Sequence, residues 1–130
     1  TIEKNGLKET ANRLGKGIIA FSPLAQGLLT DRYLHGIPED SRIRTDGRFL
    51  KESTLTEEKL EQIRALNAIA AARGQTLAEM ALAWILKDGQ VTSVLIGASR
   101  PEQILDDLKA LDNTTFTPDE LRAIDAASGF

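Results

Sequence analysis

Val91–Asp107, VTSVLIGASRPEQILDD, is the stretch whose reading decides the fold. Val91, Val94, Leu95 and Ile96 form a short apolar run rich in β-branched side chains, the pattern of a strand buried on both faces. Gly97 and Ala98 remove side-chain bulk where the chain has to turn. Ser99, Pro101 and Glu102 then read as a helix start, with Ser99 as N-cap, Pro101 in the first turn and Glu102 three residues after the cap. Such a turn leaves backbone N–H groups at the positive end of a helix, where a phosphate is favoured, and Arg100 adds a formal charge. Taken alone, S-x-x-E is more often a simple cap than an anion site. A second strand-to-loop stretch, Gly17–Leu29 GIIAFSPLAQGLL, gives it weight.

Outward from these two stretches the chain reads as helices and one long connection. Residues 3–14 place Leu7, Ala11 and Leu14 at helical spacing, and Gly15 ends that helix. Gly17–Phe21 reads as a short buried strand, which Ser22 and Pro23 terminate because proline cannot donate to a ladder. Residues 24–55 form a long irregular connection in which Arg32, Arg42, Arg44 and Arg48 stand against Asp31, Glu39, Asp40 and Asp46. The plain reading is a solvated loop; the sharper one is a lid that carries arginines to an anion. Thr56 caps a helix with Leu60, Ile63, Leu66 or Asn67, and Ala70 inward, stopped by Gly74. Thr76 and Glu79 form a capping box for a helix burying Leu77, Met80, Ala81, Trp84 and Ile85. After a turn at Asp88–Gly89 and the Val91–Gly97 strand, a helix with Ile104, Leu108 and Leu111 inward follows. A last helix starts at Thr117-Pro118-Asp119-Glu120 and docks through Leu121, Ile124 and Ala127.

Two non-alternating strands separated by helices imply parallel pairing in an α/β fold. A complete (β/α)₈ barrel takes about 250 residues. At 130 residues, and with so few strands, this chain reads as an incomplete part of one, residues 1–130 forming a single domain fragment. The alternative is a small α/β domain unusually poor in strand. Composition excludes several functions. A hydrophobic content of 42% is that of a globular protein, and a net charge of −3 argues against a nucleic-acid surface or a polybasic membrane contact. The absence of cysteine rules out a disulfide framework or thiolate metal site and fits a cytoplasmic protein. No apolar run approaches the roughly 18 residues of a membrane span, and the N-terminal residues carry no signal-peptide core.

Two motifs in one order carry a resemblance. Phe21-Ser22-Pro23-Leu24-Ala25-Gln26-Gly27-Leu28-Leu29-Thr30, with Arg32-Tyr33 and Gly36-Ile37-Pro38, resembles the seventh-strand region of the aldo-keto reductases. Val94-Leu95-Ile96-Gly97-Ala98-Ser99, with Gln103, Asp106 and Asp107, resembles the eighth-strand region of that family. The branch it is most similar to holds the bacterial L-glyceraldehyde 3-phosphate reductases and the potassium-channel β subunits. The resemblance runs from about Gly6 to the C-terminus and covers only the C-terminal part of the family's barrel.

The resemblance implies a (β/α)₈ barrel that holds NADPH at the C-terminal ends of its strands, without the Gly-rich Rossmann fingerprint, which does not occur here. It implies that Ser22, Pro23, Leu24, Ala25 and Gly27 wrap the pyrophosphate and adjoining ribose, that Arg32 contacts the phosphates and that Arg42 closes over the adenosine. Gly97 lies in the second matched turn; Ser99 and Gln103 match residues that hold the adenosine 2′-phosphate, with Arg100 beside them. Asp106 and Asp107 match an acidic residue and an asparagine that read adenine and ribose. Asp107 departs from the pattern, because a carboxylate lacks the amide donor and adds negative charge, which bears on NADP against NAD preference.

The family's catalytic Tyr, Lys, Asp and His lie in the N-terminal half of the barrel, and no matching motif occurs here. Tyr33 and His35, the only tyrosine and histidine, sit in the matched loop and read as packing residues, so no catalytic residue and no metal ligand is assigned. The resemblance thus implies the cofactor-binding part of an NADPH-dependent reductase of small aldehydes or ketones. Two alternatives stand beside it: a non-catalytic, nucleotide-binding regulatory subunit, and a separately folded half-barrel that pairs with another chain, including a second copy of itself.

Overall fold

In a computed structural model, residues 2–34, 36, 39, 53 and 55–129 of the chain are described. The element order is α1 (Leu7–Arg13), β1 (Ile19–Phe21), two 3₁₀ turns (Ala25–Gly27 and Asp31–Tyr33), α2 (Glu57–Ala72), α3 (Leu77–Leu86), β2 (Ser93–Leu95), α4 (Pro101–Leu108), a 3₁₀ turn (Lys109–Asp112) and α5 (Pro118–Ser128). β1 and β2 are parallel neighbours in register Ile19↔Ser93, Ala20↔Val94 and Phe21↔Leu95. The ladder begins where the Thr92 Oγ1 accepts the Ile18 N–H at 3.1 Å and the Ile18 carbonyl accepts the Thr92 N–H at 2.9 Å.

Helix starts follow the local chemistry of the sequence. Thr56 Oγ1 accepts the Lys59 N–H, and Thr76 and Thr117 each close a reciprocal capping box with Glu79 and Glu120. The helices then bury two apolar groups. Ile63, Leu66 and Ala70 of α2, Leu77 and Met80 of α3 and Ile124 of α5 are buried together, with Leu28, Leu29 and Leu34 from the connection after β1 packed on them. A second buried group, Leu82, Ala83 and Ala110, joins α3 to the 3₁₀ turn after α4, and Val94 and Ile96 rest on it. Helix α3 is therefore buried over a wider face than the expected single stripe: Leu82 and Ala83 are inside, while Ala81, Trp84 and Ile85 are half-buried.

Several expected faces point elsewhere. The strands are not buried on both faces: Ile19 (71% exposed), Phe21 (78%) and Leu95 (64%) stand on the side away from the helices. Leu7 and Leu14 of the first helix are exposed, and the residue it buries is Lys8. Ile104, Leu108 and Leu111 are also exposed, with Ala110 the inward residue of that segment. The periodicity in each case is correct, but among the described residues no element covers these faces.

Two ion-pair systems fix the outer helices. Lys8 Nζ donates to Asp88 Oδ2 at 2.6 Å and to Glu3 Oε1 at 2.8 Å, tying α1 to the turn before β2. Burial works to lower the Lys8 pKa, but the two carboxylates outweigh it and hold the ammonium above its ordinary value. Arg73, at the C-terminal cap of α2, has a side chain only 2% exposed and pairs with Glu120 at 2.8 Å. Its guanidinium also donates to the carbonyls of Asn113 and Thr115 and lies 3.8 Å from the Phe116 ring centroid.

Replacing Lys8 by Met should undock α1, raising its amide exchange above that of α2 and α3 and costing about 2 kcal/mol, the scale of hydrogen bonds to charged groups. Glu120 is held below the ordinary carboxylate value, first by the Thr117 N–H and then by Arg73, against an opposing effect of burial. Its contribution is present above the unfolded carboxylate pKa and is lost as pH falls through the lowered folded value. Urea melts should therefore separate Glu120→Gln, whose amide keeps the capping box, from the parent at pH 7 and superimpose the two in strong acid.

Candidate functional site at the strand C-termini

Parallel pairing dictates where the two matched loops lie. Phe21 and Leu95 are ladder partners, so the segments that follow, Ser22–Gly27 and Ile96–Gln103, leave the same edge of the sheet. In open α/β sheets and in barrels that edge is where ligands bind, because loops and helix starts converge there.

The first loop is held in a conformation that side-chain-bearing residues rarely adopt. Ser22, Ala25 and Gln26 have φ of 53°, 46° and 62°, followed by Gly27 at 96°. Only Gly27 is suited to this by its lack of a Cβ, and it lies against the Tyr33 ring. The rest is held by tight backbone bonds, Ala25 N–H to the Ser22 carbonyl at 3.0 Å and Gly27 N–H to the Leu24 carbonyl at 2.8 Å. Thr30 then donates to the Gly27 carbonyl at 2.6 Å and accepts the Arg32 N–H at 3.2 Å. Tyr33, 2% exposed, is a buried packing residue. Leu28, Leu29 and Leu34 pin the loop to the helical core. A backbone forced into successive left-handed conformations costs about 1–3 kcal/mol per residue and clusters at ligand sites. Pro23, Leu24, Gly27 and Arg32 are half-buried around it, whereas Ser22 and Ala25 are exposed. Arg42 and His35 lie outside the described residues.

At the second loop the cap is shifted by one residue from the expected one. Arg100 is the N-cap of α4 and Pro101 its first residue; the Arg100 side chain has no acceptor and makes no cap bond, and Gln103 rather than Glu102 reaches back to the cap N–H. Gln103 Oε1 accepts the Ser99 N–H at 2.8 Å, the Arg100 N–H at 3.2 Å and the Ser99 hydroxyl at 3.1 Å. Glutamine reaches back from the third helical position, one half of a capping box; with Arg100 as cap, Glu102 falls one residue short. Gly97, Ser99 and Arg100 are exposed, with open space beside Gly97. Farther along α4, Asp106 is exposed and pairs with Lys109 at 2.7 Å, while Asp107 is half-buried. Burial first, then the charges of Asp106 and Glu79, raise the Asp107 pKa above the ordinary carboxylate value.

The structure thus brings two of the expected residue groups to one edge and makes that edge polar, strained and open. Among the described residues no group of His, Asp or Glu is arranged to hold a metal, and no helix is long and apolar enough to cross a membrane. Gln26, Thr30 and Glu79 were not among the expected site residues. Thr30 ahead of Asp31 is a readable turn cap, but nothing in the sequence marks Gln26 for positive φ.

Comparison with known proteins agrees with the geometry. The profile of the Aldo/keto reductase family matches residues 1–128. L-glyceraldehyde 3-phosphate reductase of Escherichia coli strain K12 is 54% identical over 127 residues, covering 95% of this chain and 37% of that protein. A putative voltage-gated potassium channel subunit beta of Schizosaccharomyces pombe is 40% identical over 120 residues, 89% of this chain and 35% of that protein. Among solved structures, the glycerol dehydrogenase AKR11B4 of Gluconobacter oxydans superposes with a TM-score of 0.72 at 26% identity, over 97% of this chain and 38% of its own. The chain spans a little over one third of the length of these relatives. Its two parallel strands and their helices are the C-terminal portion of a (β/α)₈ barrel, incomplete in this chain. The profile match over residues 1–128 makes this chain a member of the aldo/keto reductase family.

Proposed function

We propose that residues 1–130 are the cofactor-binding part of an NADPH-dependent aldo-keto reductase that interconverts small aldehydes or ketones and alcohols. The observation that carries this reading is the convergence of the Ser22–Gly27 and Gly97–Gln103 loops at the C-terminal edge of one parallel strand pair. Bound there, the nicotinamide cofactor would supply the hydride, while this chain binds and orients it. The left-handed run at Ala25–Gly27 turns backbone toward an approaching pyrophosphate, and Pro23 and Leu24 shape the turn. The Arg100 guanidinium offers donors and positive charge for a 2′-phosphate, and the Ser99 hydroxyl, which donates to Gln103 Oε1 in this structure, would turn to it while Gln103 keeps the Ser99 and Arg100 N–H groups and holds the turn in shape. Arg32 would add to the charge complement, the matching role of Arg42 falls outside the described residues, and Asp106 and Asp107 would read adenine and ribose.

In this reading the proton donor for the carbonyl comes from outside these residues. The buried Tyr33 serves packing. The exposed Ile19, Phe21 and Leu95 and the open edges of β1 and β2 are then the surfaces on which the remaining barrel strands sit. A cytoplasmic setting goes with this function. The Schizosaccharomyces pombe relative, a putative voltage-gated potassium channel subunit beta, supports a second reading in which the same residues bind nucleotide without turnover.

Fluorescence titration with NADPH and with NADH tests the proposal. Saturable binding that favours NADPH, weakened about tenfold in Ser99→Ala/Arg100→Ala with NADH binding unchanged, is the expected outcome; two charge-assisted hydrogen bonds are worth at least that much. Equal affinity for both nucleotides, or no effect of the double substitution, overturns it.

A further inference from the structure

Asn5-Gly6 is the sole Asn-Gly pair in the sequence, and its surroundings leave it open to attack by its own backbone. Both residues are exposed in the turn that leads into α1. Gly6 has φ of 77°, with nothing within 4 Å of the position a Cβ would occupy. Among the described residues no carbonyl accepts the Gly6 N–H. The Asn5 side chain folds back over the same peptide, its Oδ1 accepting the Leu7 N–H at 3.1 Å. An Asx turn of this kind brings the amide carbon toward the intervening Gly6 nitrogen, and the donated hydrogen bond polarises the amide C=O.

Asp88-Gly89 has the same local shape and the opposite hydrogen bonding. Gly89 also has a left-handed φ, 67°, and open space beside it. Its N–H is taken up by the Leu86 carbonyl at 3.1 Å. Asp88 is held on both oxygens, Oδ2 by Lys8 at 2.6 Å and Oδ1 by the Gln90 N–H at 2.9 Å. Neither the nucleophile nor the electrophile is free there.

We propose that Asn5 is a site of self-modification, where the Gly6 nitrogen closes on the Asn5 side-chain amide and converts it to aspartate and isoaspartate. The Gly6 N–H gives its proton to hydroxide, a bond forms from that nitrogen to Asn5 Cγ, and the Cγ–Nδ2 bond breaks to release ammonia. Water then opens the cyclic imide at either carbonyl, with no oxidant or reductant involved. Opening at Cγ gives aspartate, which can still accept the Leu7 N–H. Opening at the main-chain carbonyl gives isoaspartate and lengthens the link between Glu3 and α1 by a methylene. Glu3 accepts from Lys8 at 2.8 Å and from Lys87 at 3.3 Å, so the isoaspartyl form loosens one of the two carboxylates that hold α1.

The intact chain incubated at mildly alkaline pH, with and without urea, tests this by mass-spectrometric peptide mapping and by methyl transfer from S-adenosylmethionine with an isoaspartyl methyltransferase as probe. Without urea, the methyl label and the amide-to-acid mass gain should collect at residue 5 and leave Asp88 unlabelled; in urea both positions should take label. Gly6→Ala, whose Cβ hinders ring closure, should convert about tenfold more slowly, in urea as in its absence. As isoaspartate accumulates, amide exchange of α1 should rise while α2 and α3 keep theirs. Equal label at Asp88 and residue 5 in the folded chain, conversion of Asn5 only in urea, or a Gly6→Ala chain that converts at the parent's rate overturns the inference. Unchanged exchange of α1 in the isoaspartyl form overturns its link to the Glu3–Lys8 pair.

Discussion

The parallel ladder between β1 and β2 is the constraint on which everything else depends. Three residue pairs, Ile19↔Ser93, Ala20↔Val94 and Phe21↔Leu95, fix the direction of both strands. An antiparallel arrangement would send Ser22–Gly27 and Gly97–Gln103 to opposite ends of the sheet. Parallel pairing sends them to the same end and forces the intervening chain to cross back, which α2 and α3 do. The side of the ladder that carries Val94 meets α3, and the side that carries Phe21 and Leu95 stays open.

The helices hold that frame through contacts of two kinds. Apolar packing among Ile63, Leu66, Leu77, Met80 and Ile124 joins α2, α3 and α5 and takes in three leucines of the loop after β1. The Arg73 guanidinium satisfies two carbonyls, a carboxylate and an aromatic face, so a buried charge is left with every side occupied. The loop residues proposed to meet the cofactor are thus anchored at both ends. Their strain is carried by a rigid scaffold rather than by the loop itself.

What could be read from the sequence was what local chemistry determines. The caps at Thr56, Thr76 and Thr117, the glycine stops at Gly15 and Gly74 and the parallel strand pair all appear where the residues place them. Burial was less legible, because it depends on which elements are near. Lys8 turns inward because Asp88, 80 positions away, meets it, and no window around α1 contains that information. The cap at Arg100 differs from the expected Ser99 because Gln103 takes both the Ser99 and the Arg100 N–H groups. The convergence of the site loops followed from strand order, whereas the left-handed conformations of Ala25 and Gln26 had no glycine to announce them. The influence of Glu79 on Asp107 is a tertiary effect across two helices.

The ladder also has a kinetic meaning. Its first bond, from the Ile18 N–H to Thr92, joins residues 74 positions apart. Closing a loop of that length costs about 4 kcal/mol by ideal-chain scaling, and three short pairs return little against it. The α2–α3 hairpin, by contrast, closes across a connection of a few residues and buries apolar surface at once. Non-local pairing of this kind forms late on the folding route. The loops at its end therefore take shape last, so assembly of the strand pair and assembly of the site are one event.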